Sequence, residues 1–507
     1  MTYAPYIFND FSGGLNLAAK ADLVGANECV DCRDVVFDDG AIRCRPGLDE
    51  FTTADTTNQI LSVYGPQVSS HVLAGCGTRL EAIDIGTGTV SASATGKTSA
   101  GDGGWYWGFT DYGTATTPYT FAGNGENILQ TWNGSAWGTV ANSPKAAALC
   151  VTPSSNRLVA TRFKTTTGGP SGGASTSSPS HVYFSEAGDP TSWPTSNYVQ
   201  IDPNDGDVIM GCVTWRDYVF VFKEHRFYVF TEESTDADGN PVFNYRKVDT
   251  GIGLIAPRAL AVHESGVYFI DRNGLYVTTG DTPTKVSGAM DVAFLGLDTD
   301  FFTSRSITTG TGIDRSLVIW QDLVIFTAVN TAGGRTTFVY NINDGWWTTW
   351  VPRYSPEAWT IYDNDGAYPR LFFCSISTDN TKKVFEISHS YTDDDGVAIS
   401  GYYTTGFTDL GIAENKRLRQ IKLWGTGTSV TLTGYSDLDV STAGSTGSIT
   451  LNTYAGPEVN VGIQRVGFRG TTFAFKITNI GGGESVHRIE PHIAGTRQPT
   501  VTQTEKT

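Results

Sequence analysis

The chain has 507 residues, of which 39% are hydrophobic, 12% aromatic and only 17% charged, with 58 glycines and 3 methionines. This composition excludes a disordered chain and favours an all-β protein, because strand formers and turn formers dominate over the residues of long helices. The formal net charge of −17 argues against a protein that holds nucleic-acid phosphates with clustered lysine and arginine.

The first segment, residues 1–57, contains one clear hairpin signal. In "DVVFDDGAIRCRPGLDEF", the dipeptide Asp39-Gly40 separates two short strand-like runs. Asp-Gly tolerates the positive φ angles of a two-residue turn. The opening "MTYAPYIFND" lacks the charged start and apolar run of a signal peptide, so we expect synthesis in the cytoplasm without export by such a signal.

The middle of the chain, residues 58–397, reads as strand after strand with tight turns. Seven units share this pattern at a spacing of roughly 40–60 residues, which is the range of propeller blades. Local turn signals support it: Asn273-Gly274 is a hairpin dipeptide, and "VFVFKEHRFYVF" places "KEH" at the bend between two apolar strands. Packing such units around an axis buries both of their faces. We therefore predict a β-propeller of about seven blades.

Tryptophans follow several of the turns in this region, as in "GDPTSW", "WNGSAW" and "NDGWWTTW". One interpretation is that each tryptophan fills the wedge between neighbouring blades. The other is that it fills the core of its own hairpin. We favour the first, because a large aromatic side chain buries much apolar area.

The pattern changes in residues 398–507. "KRLRQIKLWG", "SVTLTGYSDLD" and "FAFKITNIGGG" indicate longer strands with polar turns. We predict a small β-sandwich-like platform domain built from both chain ends, residues 1–57 and 398–507, beside the propeller.

The seven cysteines form no regular disulfide framework. Their number is odd and their spacing scattered, which favours free thiols in a reducing compartment. Cys29, Cys32 and Cys44 suggest zinc, but a closed site needs four ligands and no fourth cysteine or histidine lies nearby.

The sequence contains no recognisable catalytic constellation. It has no GxxxxGK[ST], GxSxG or HExxH pattern, and its seven histidines are isolated from one another. The carboxylates of "TEESTDADGNP" and "YTDDDG" fit hairpin turns better than a calcium loop, because the twelve-residue pattern ending in Glu is missing. We predict no catalytic residue, no cofactor and no metal ligand.

Several phrases together resemble a known family. "NDFSGGLN", "CRDVVFDDGAIRCRPGLDEF", "VYFSEAGDPTSW", "FKEHRFYVFTEES" and "APRALAVHESGVYFIDRNGLYVTTG" are similar to virion proteins of tailed bacteriophages. The closest resemblance is to the tail nozzle or hub proteins of short-tailed phages, also called tail tubular protein B or packaged-DNA stabilisation proteins.

The resemblance implies a structural virion protein without catalytic residues. Such proteins look like propellers carried on a platform domain, and six copies form a ring below the portal and its adaptor. The ring holds packaged double-stranded DNA and conducts it outward during ejection, without sequence-specific binding. The implied partners are further copies of the chain, the head-to-tail adaptor, and tail fibres or a tail needle. The implied location is the virion tail, after assembly in the host cytoplasm.

A second interpretation belongs to another class of protein. A phage tail-tip propeller that binds or cleaves glycans would share the fold. A cleaving enzyme would need two placed carboxylates, or a tyrosine nucleophile with its own partners. It would differ from the nozzle in having an aromatic-lined pocket and no ring.

Overall fold

Nearly all regular secondary structure in the described part of the chain is β-strand. The computed structural model describes residues 6–52, 56, 58–98, 106–113, 119–164, 166–172, 179–237, 241–296, 316–329, 335–363, 368–375, 381–439, 443–450 and 460–494. Within these ranges lie 42 strands, a 3₁₀ turn at Gly288–Met290 and a short helix, α1, at Asp291–Gly296. The prediction of an all-β chain is confirmed.

The first strands in chain order are β1 (Gly14–Leu15), β2 (Glu28–Arg33), β3 (Val35–Asp38), β4 (Ala41–Cys44), β5 (Gly47–Glu50), β6 (Ile60–Tyr64), β7 (His71–Cys76), β8 (Arg79–Asp84), β9 (Val90–Ala94), β10 (Gly108–Tyr112), β11 (Tyr119–Gly123), β12 (Gln130–Trp132), β13 (Trp137–Thr139), β14 (Ala146–Val151), β15 (Leu158–Phe163), β16 (His181–Phe184), β17 (Tyr198–Gln200), β18 (Ile209–Trp215), β19 (Tyr218–Lys223), β20 (Phe227–Thr235) and β21 (Pro241–Val248). The remaining strands are β22 (Leu260–His263), β23 (Gly266–Asp271), β24 (Gly274–Thr278), β25 (Thr284–Lys285), β26 (Leu317–Trp320), β27 (Leu323–Val329), β28 (Arg335–Asn341), β29 (Trp347–Trp350), β30 (Pro356–Tyr362), β31 (Arg370–Ser375), β32 (Val384–Ser388), β33 (Asp393–Asp394), β34 (Val397–Ala398), β35 (Gly401–Thr405), β36 (Lys416–Thr426), β37 (Ser429–Ser436), β38 (Ser445–Thr450), β39 (Asn460–Arg465), β40 (Arg469–Gly470), β41 (Phe473–Ile480) and β42 (Ser485–Ala494).

The strands belong to two compact units. The first unit comprises Met1–Gly47, Asp344–Trp350 and His389–Thr507, and the second comprises Leu48–Asn343 and Val351–Ser388. Both ends of the chain therefore lie in the first unit. The predicted boundaries at 57/58 and 397/398 stay predictions.

The second unit is a succession of small sheets. Five have four consecutive strands each, from β6–β9 to β22–β25, and a sixth contains β26, β27 and β28. The seventh contains β30, β31 and β32, with Leu48–Glu50 of β5 beside β32. Neighbouring strands within these sheets are antiparallel. This arrangement is a propeller-like β fold.

An early strand completes the last of these sheets. The backbone N–H of Phe51 donates to the Val384 carbonyl oxygen at 2.9 Å, and Lys383 pairs with Glu50 at 2.6 Å. One apolar cluster then joins the sheet of β30–β32 to that of β6–β9, with Ile60 and Phe372 both fully buried. The end of the succession thus packs against its beginning.

Two tryptophans of the second unit, Trp193 and Trp132, lie between neighbouring sheets. Trp193 is in a cluster with Phe121 and Leu158, which belong to two successive sheets. Trp132 packs on Leu73 of the preceding sheet, and its indole N–H donates to Ser69 Oγ at 2.9 Å. The wedge interpretation is confirmed for Trp193. In "WNGSAW" the tryptophan between the sheets is Trp132, which comes before the turn. The tryptophans of "NDGWWTTW" belong instead to the first unit, where Trp346 meets Phe37 with ring centres 5.4 Å apart.

Most of the predicted turns are observed. Asp39-Gly40 connects β3 and β4 with φ of 50° and 70°, and Asp395-Gly396 connects β33 and β34 with φ of 50° and 77°. The "KEH" bend connects β19 and β20. The Asn273-Gly274 prediction was wrong by one residue, because Gly274 pairs with Asp271 and the turn is therefore Arg272-Asn273.

The first unit has two larger sheets that share a core. One has the strand order β1-β2-β35-β41-β37-β38, and the other has the order β3-β4-β42-β36-β39, with β40 also beside β36. Phe37 of one sheet and Tyr403 of the other meet with ring centres 6.0 Å apart, and both are buried. β29 joins this unit, because the Asp34 N–H donates to the Thr349 carbonyl oxygen at 2.8 Å.

Candidate functional site

The second unit encloses a cavity of about 930 Å³. It is lined by the first strand of each sheet, namely β6, β10, β14, β18, β22, β26 and β30. Small residues such as Gly108, Ala148 and Ala261 face it, which leaves space between the strands. Arg258 and Ser316, just before β22 and β26, form a parallel bridge, so these two strands start side by side.

Two charged side chains of the cavity, Arg258 and Asp111, are engaged by the fold. Arg258 lies over the Tyr106 ring at 5.5 Å and donates to the Leu61 carbonyl oxygen at 3.4 Å. Asp111 accepts hydrogen bonds from the Gln67 N–H and from Thr120 Oγ1, both at 2.7 Å. Burial raises the pKa of Asp111, and these hydrogen bonds oppose that rise. The carboxylate thus has a structural role.

One group of side chains in this unit has metal-ligand character. Carboxylate oxygens of Asp207 and Glu224 and a ring nitrogen of His225 lie within 4.8 Å of one another. Local cations already compensate these carboxylates: Arg272 pairs with Glu224 at 2.7 Å, and Arg226 Nε is 3.8 Å from Asp207. Asp207 also accepts the Glu224 N–H at 3.0 Å. The group is therefore an ion-pair network at the β19–β20 turn.

The first unit brings together two histidines that the sequence shows far apart. His389 and His487 line one cleft of about 430 Å³, together with Arg43, Cys44 and Ser485. The interpretation of all seven histidines as isolated is therefore wrong for this pair. Because residues 389 and 487 are almost one hundred positions apart, only long-range strand pairing could reveal their proximity.

A serine and a histidine of this cleft lie within hydrogen-bond distance. Ser485 Oγ lies 2.7 Å from His487 Nε2. Burial lowers the pKa of both histidines, and the nearby Arg43 lowers that of His487 further. A catalytic Ser–His pair needs a carboxylate that favours the imidazolium, whereas the charged group that shifts the pKa of His487 is the Arg43 cation. Burial also raises the pKa of the Cys44 thiol to about 12, so it stays protonated at neutral pH.

The other cysteines with zinc-like spacing are core residues. Cys29 and Cys32 are both buried in the first unit. Burial and the neighbouring Cys32 raise the pKa of Cys29 well above its usual value, which opposes the thiolate form that zinc requires. All seven cysteines carry free thiols.

A buried ion triad connects distant parts of the first unit. Arg45 donates from Nε to Asp34 at 2.7 Å, and from Nη1 and Nη2 to both oxygens of Asp394 at 2.9 and 2.6 Å. All three side chains are at most 7% exposed. Asp394 was predicted only as part of a turn, and no local signal in the sequence indicates its partner 349 positions away.

None of the helices in the described ranges is long and apolar enough to cross a membrane.

Comparison with known proteins assigns the chain to no family. No family model matches the chain, and the comparison with curated proteins gives no match. Among solved structures, the chain is similar to Raptor from Chaetomium thermophilum with 10% identity and a TM-score of 0.43. The similarity covers 68% of this chain but only 29% of that one, so the chain spans less than a third of that protein's length.

Proposed function

We propose that the chain is a structural virion protein of a bacteriophage tail. In this proposal six copies form a nozzle or hub ring below the portal and adaptor of a short-tailed phage. The ring retains packaged double-stranded DNA and conducts it during ejection. Its other partners are the adaptor and the tail fibres or needle.

The observation that carries the proposal is the discontinuous first unit. Both chain ends contribute strands to its two sheets, and the triad of Arg45, Asp34 and Asp394 ties the two ends together. The phage resemblance implies a platform domain, and the sequence pattern predicts that both chain ends form it. We identify this unit with a sandwich-like platform.

The second unit fits a propeller of seven blades in the same proposal. Seven sheets follow one another, and the first strand of each lines a single cavity. Completion of the last sheet by Leu48–Glu50 resembles the way a closed ring of blades is joined, because a strand from before the first blade finishes the last one.

The charge of the chain suits a conduit for a polyanion. Six copies with a net charge of −17 each repel DNA, which prevents the genome from adhering to the wall. Screening limits this repulsion to roughly 10 Å at ordinary salt, so only residues near the passage contribute. Free thiols fit assembly in a reducing host cytoplasm.

Complementation of defective particles tests the proposal. A phage with a nonsense codon in this gene should produce heads that package DNA and then lose it, which DNase sensitivity of the particles measures. Adding the purified chain should restore DNA retention and infectivity. Particles that retain their DNA without the chain, yet fail to attach to cells, would contradict the nozzle function.

Particles that retain their DNA but fail to attach to cells would favour the glycan-binding alternative. Its enzymatic form requires two placed carboxylates. Of the carboxylates that line the cavity, Asp111 is engaged by the Gln67 N–H and Thr120 Oγ1, and Asp363 is exposed. A binding assay with host surface glycan would then separate a tip protein from a nozzle.

A further inference from the structure

One sheet of the first unit carries a concentration of cations that contrasts with the acidic chain. The exposed or half-exposed cations of β36, β39, β40 and β42 are Arg417, Arg419, Lys422, Arg465, Arg469 and Arg488. Cross-strand register places five of them on the same face of the sheet, and Arg419 is exposed at the adjacent bulge. We call these six residues, with Trp424, Val461 and Ile463, the cationic face.

The cationic face contains an electrostatic repulsion between two arginines on neighbouring strands. Arg417 and Arg469 are directly opposite in the antiparallel pair of β36 and β40, and both are exposed. Like charges in this position destabilise a sheet. The sole carboxylate on the four strands, Glu490, is already bound by Arg488 at 2.6 Å and by His492 at 2.7 Å.

Apolar side chains lie among these cations. Val461 and Ile463 of β39 are 42% and 57% exposed, and they are in register with Trp424 and Lys422 of β36. Arg488 stacks over the Trp424 ring at 4.4 Å. Arginine and aromatic residues are enriched in protein–protein interfaces, while lysine is depleted. With five arginines and one lysine, the face has the composition of an interface.

The positive charge of the cationic face decides which protein surface it can bind. A two-fold symmetric dimer would place the cationic face of one copy on the same face of its partner, which like charges oppose. The face must therefore meet a different, acidic surface. When both surfaces belong to the same chain, the contact is head-to-tail, which generates a ring or a filament.

The same unit offers such a surface. Residues 6–39 contain seven carboxylates against Lys20 and Arg33. Asp38 already pairs with Arg43 at 2.9 Å and Asp31 lies 3.9 Å from Lys476. The acidic surface therefore rests on the exposed Asp10, Asp22 and Asp39. Leu23, 71% exposed, adds apolar area. We call residues 6–39 the acidic segment. Its last strand, β3, and β39 stand at opposite ends of the strand order β3-β4-β42-β36-β39.

We propose that the cationic face of one copy docks on the acidic segment of the next copy, and that this contact closes the ring. The inference rests on the proposed ring-forming function and names its interface. The bound carboxylates relieve the repulsion between Arg417 and Arg469, while Val461 and Ile463 lose their exposure to water.

The test uses two full-length variants, each altered on one surface. The first carries Arg417→Gln, Ile463→Ser and Arg469→Gln, all at exposed positions. The second carries Asp22→Asn at an exposed position and Asp39→Asn, because asparagine tolerates the φ of 50° at position 39. Light scattering should show the mass of each variant fall from six copies to one. An equimolar mixture should form dimers, because each variant retains the surface that the other lacks.

A control variant removes two cations elsewhere. Lys382→Gln with Arg246→Gln alters exposed positions of the second unit and should leave the ring intact. Circular dichroism of all variants should match the wild type.

The outcomes separate the inference from the proposed function. A wild-type chain that remains monomeric overturns both. Rings that survive both surface variants overturn only the inference. A first variant that keeps its rings but no longer retards a short DNA duplex in a gel would show that the face binds phosphates, which also overturns the inference.

Discussion

Arg43 and Arg45 are two positions apart on the chain and differ greatly in their surroundings. Arg45 is 1% exposed and pairs with two buried aspartates, whereas Arg43 is 47% exposed and pairs with Asp38 in solvent. Removing one partner of a buried pair leaves an uncompensated charge. Exposed pairs contribute little, because water and salt screen them.

Arg45→Met should therefore lower the free energy of unfolding by about 3–5 kcal/mol. The matched Arg43→Met should lower it by about 1 kcal/mol at most. Urea denaturation followed by circular dichroism measures both. Equal small losses would show that the triad does not hold the chain ends together.

Histidine protonation gives a second prediction at this scale. Burial lowers the pKa of His389 and His487 in the folded chain. Near the ordinary histidine pKa of about 6.5, the unfolded chain therefore binds more protons than the folded chain. The stability contributed by the neutral histidines is fully present above that pH and is lost as the pH falls below it.

The double variant His389→Gln with His487→Gln should flatten the decline in melting temperature between pH 7 and pH 5. The measurement is a series of thermal melts, each compared with the same protein at pH 8, where these histidines are neutral in either state. An unchanged slope would exclude the cleft as the source of the pH dependence.

At the scale of elements, tryptophans connect successive sheets. The Trp215 indole N–H donates to the His263 carbonyl oxygen of the next sheet at 2.8 Å, and that of Trp320 donates to the Pro369 carbonyl oxygen at 2.7 Å. Both indoles stand at the end of the first strand of a sheet. The contact is therefore a repeated connection between neighbours.

Trp215→Phe should cost about 1 kcal/mol, because it removes one hydrogen bond and keeps most of the packing. Trp215→Ala should cost about 3–5 kcal/mol, because it also leaves a cavity. Urea denaturation of both variants provides the comparison. Equal losses in the two variants would mean that the connection depends on the hydrogen bond alone.

The sequence predicts elements better than it predicts their partners. Period-two apolar runs and Asp-Gly turns are local, so the hairpins of β3–β4 and β33–β34 follow from them. The partners of β42 are not local: it pairs with β4 near the start of the chain and with β36, from which it is separated by five other strands. The basic run "KRLRQIK" at 416–422 was visible, but its alignment with Arg465 and Arg469 depends on that pairing.

At the scale of the whole molecule, the chain's charge is divided unevenly. An overall −17 coexists with a sheet face of six cations. A net charge describes solubility and long-range repulsion, and it conceals such a face. The argument against nucleic-acid binding used the net charge of the whole chain. The argument for assembly uses the positions of the charged side chains.

The central claim is that this chain works as a ring of six. The most direct test is the mass of the purified wild-type chain by light scattering, with negative-stain images of the same sample. The account predicts six times the chain mass of 54.5 kDa and closed rings in the images. A single chain mass at every concentration, with no rings, would contradict it.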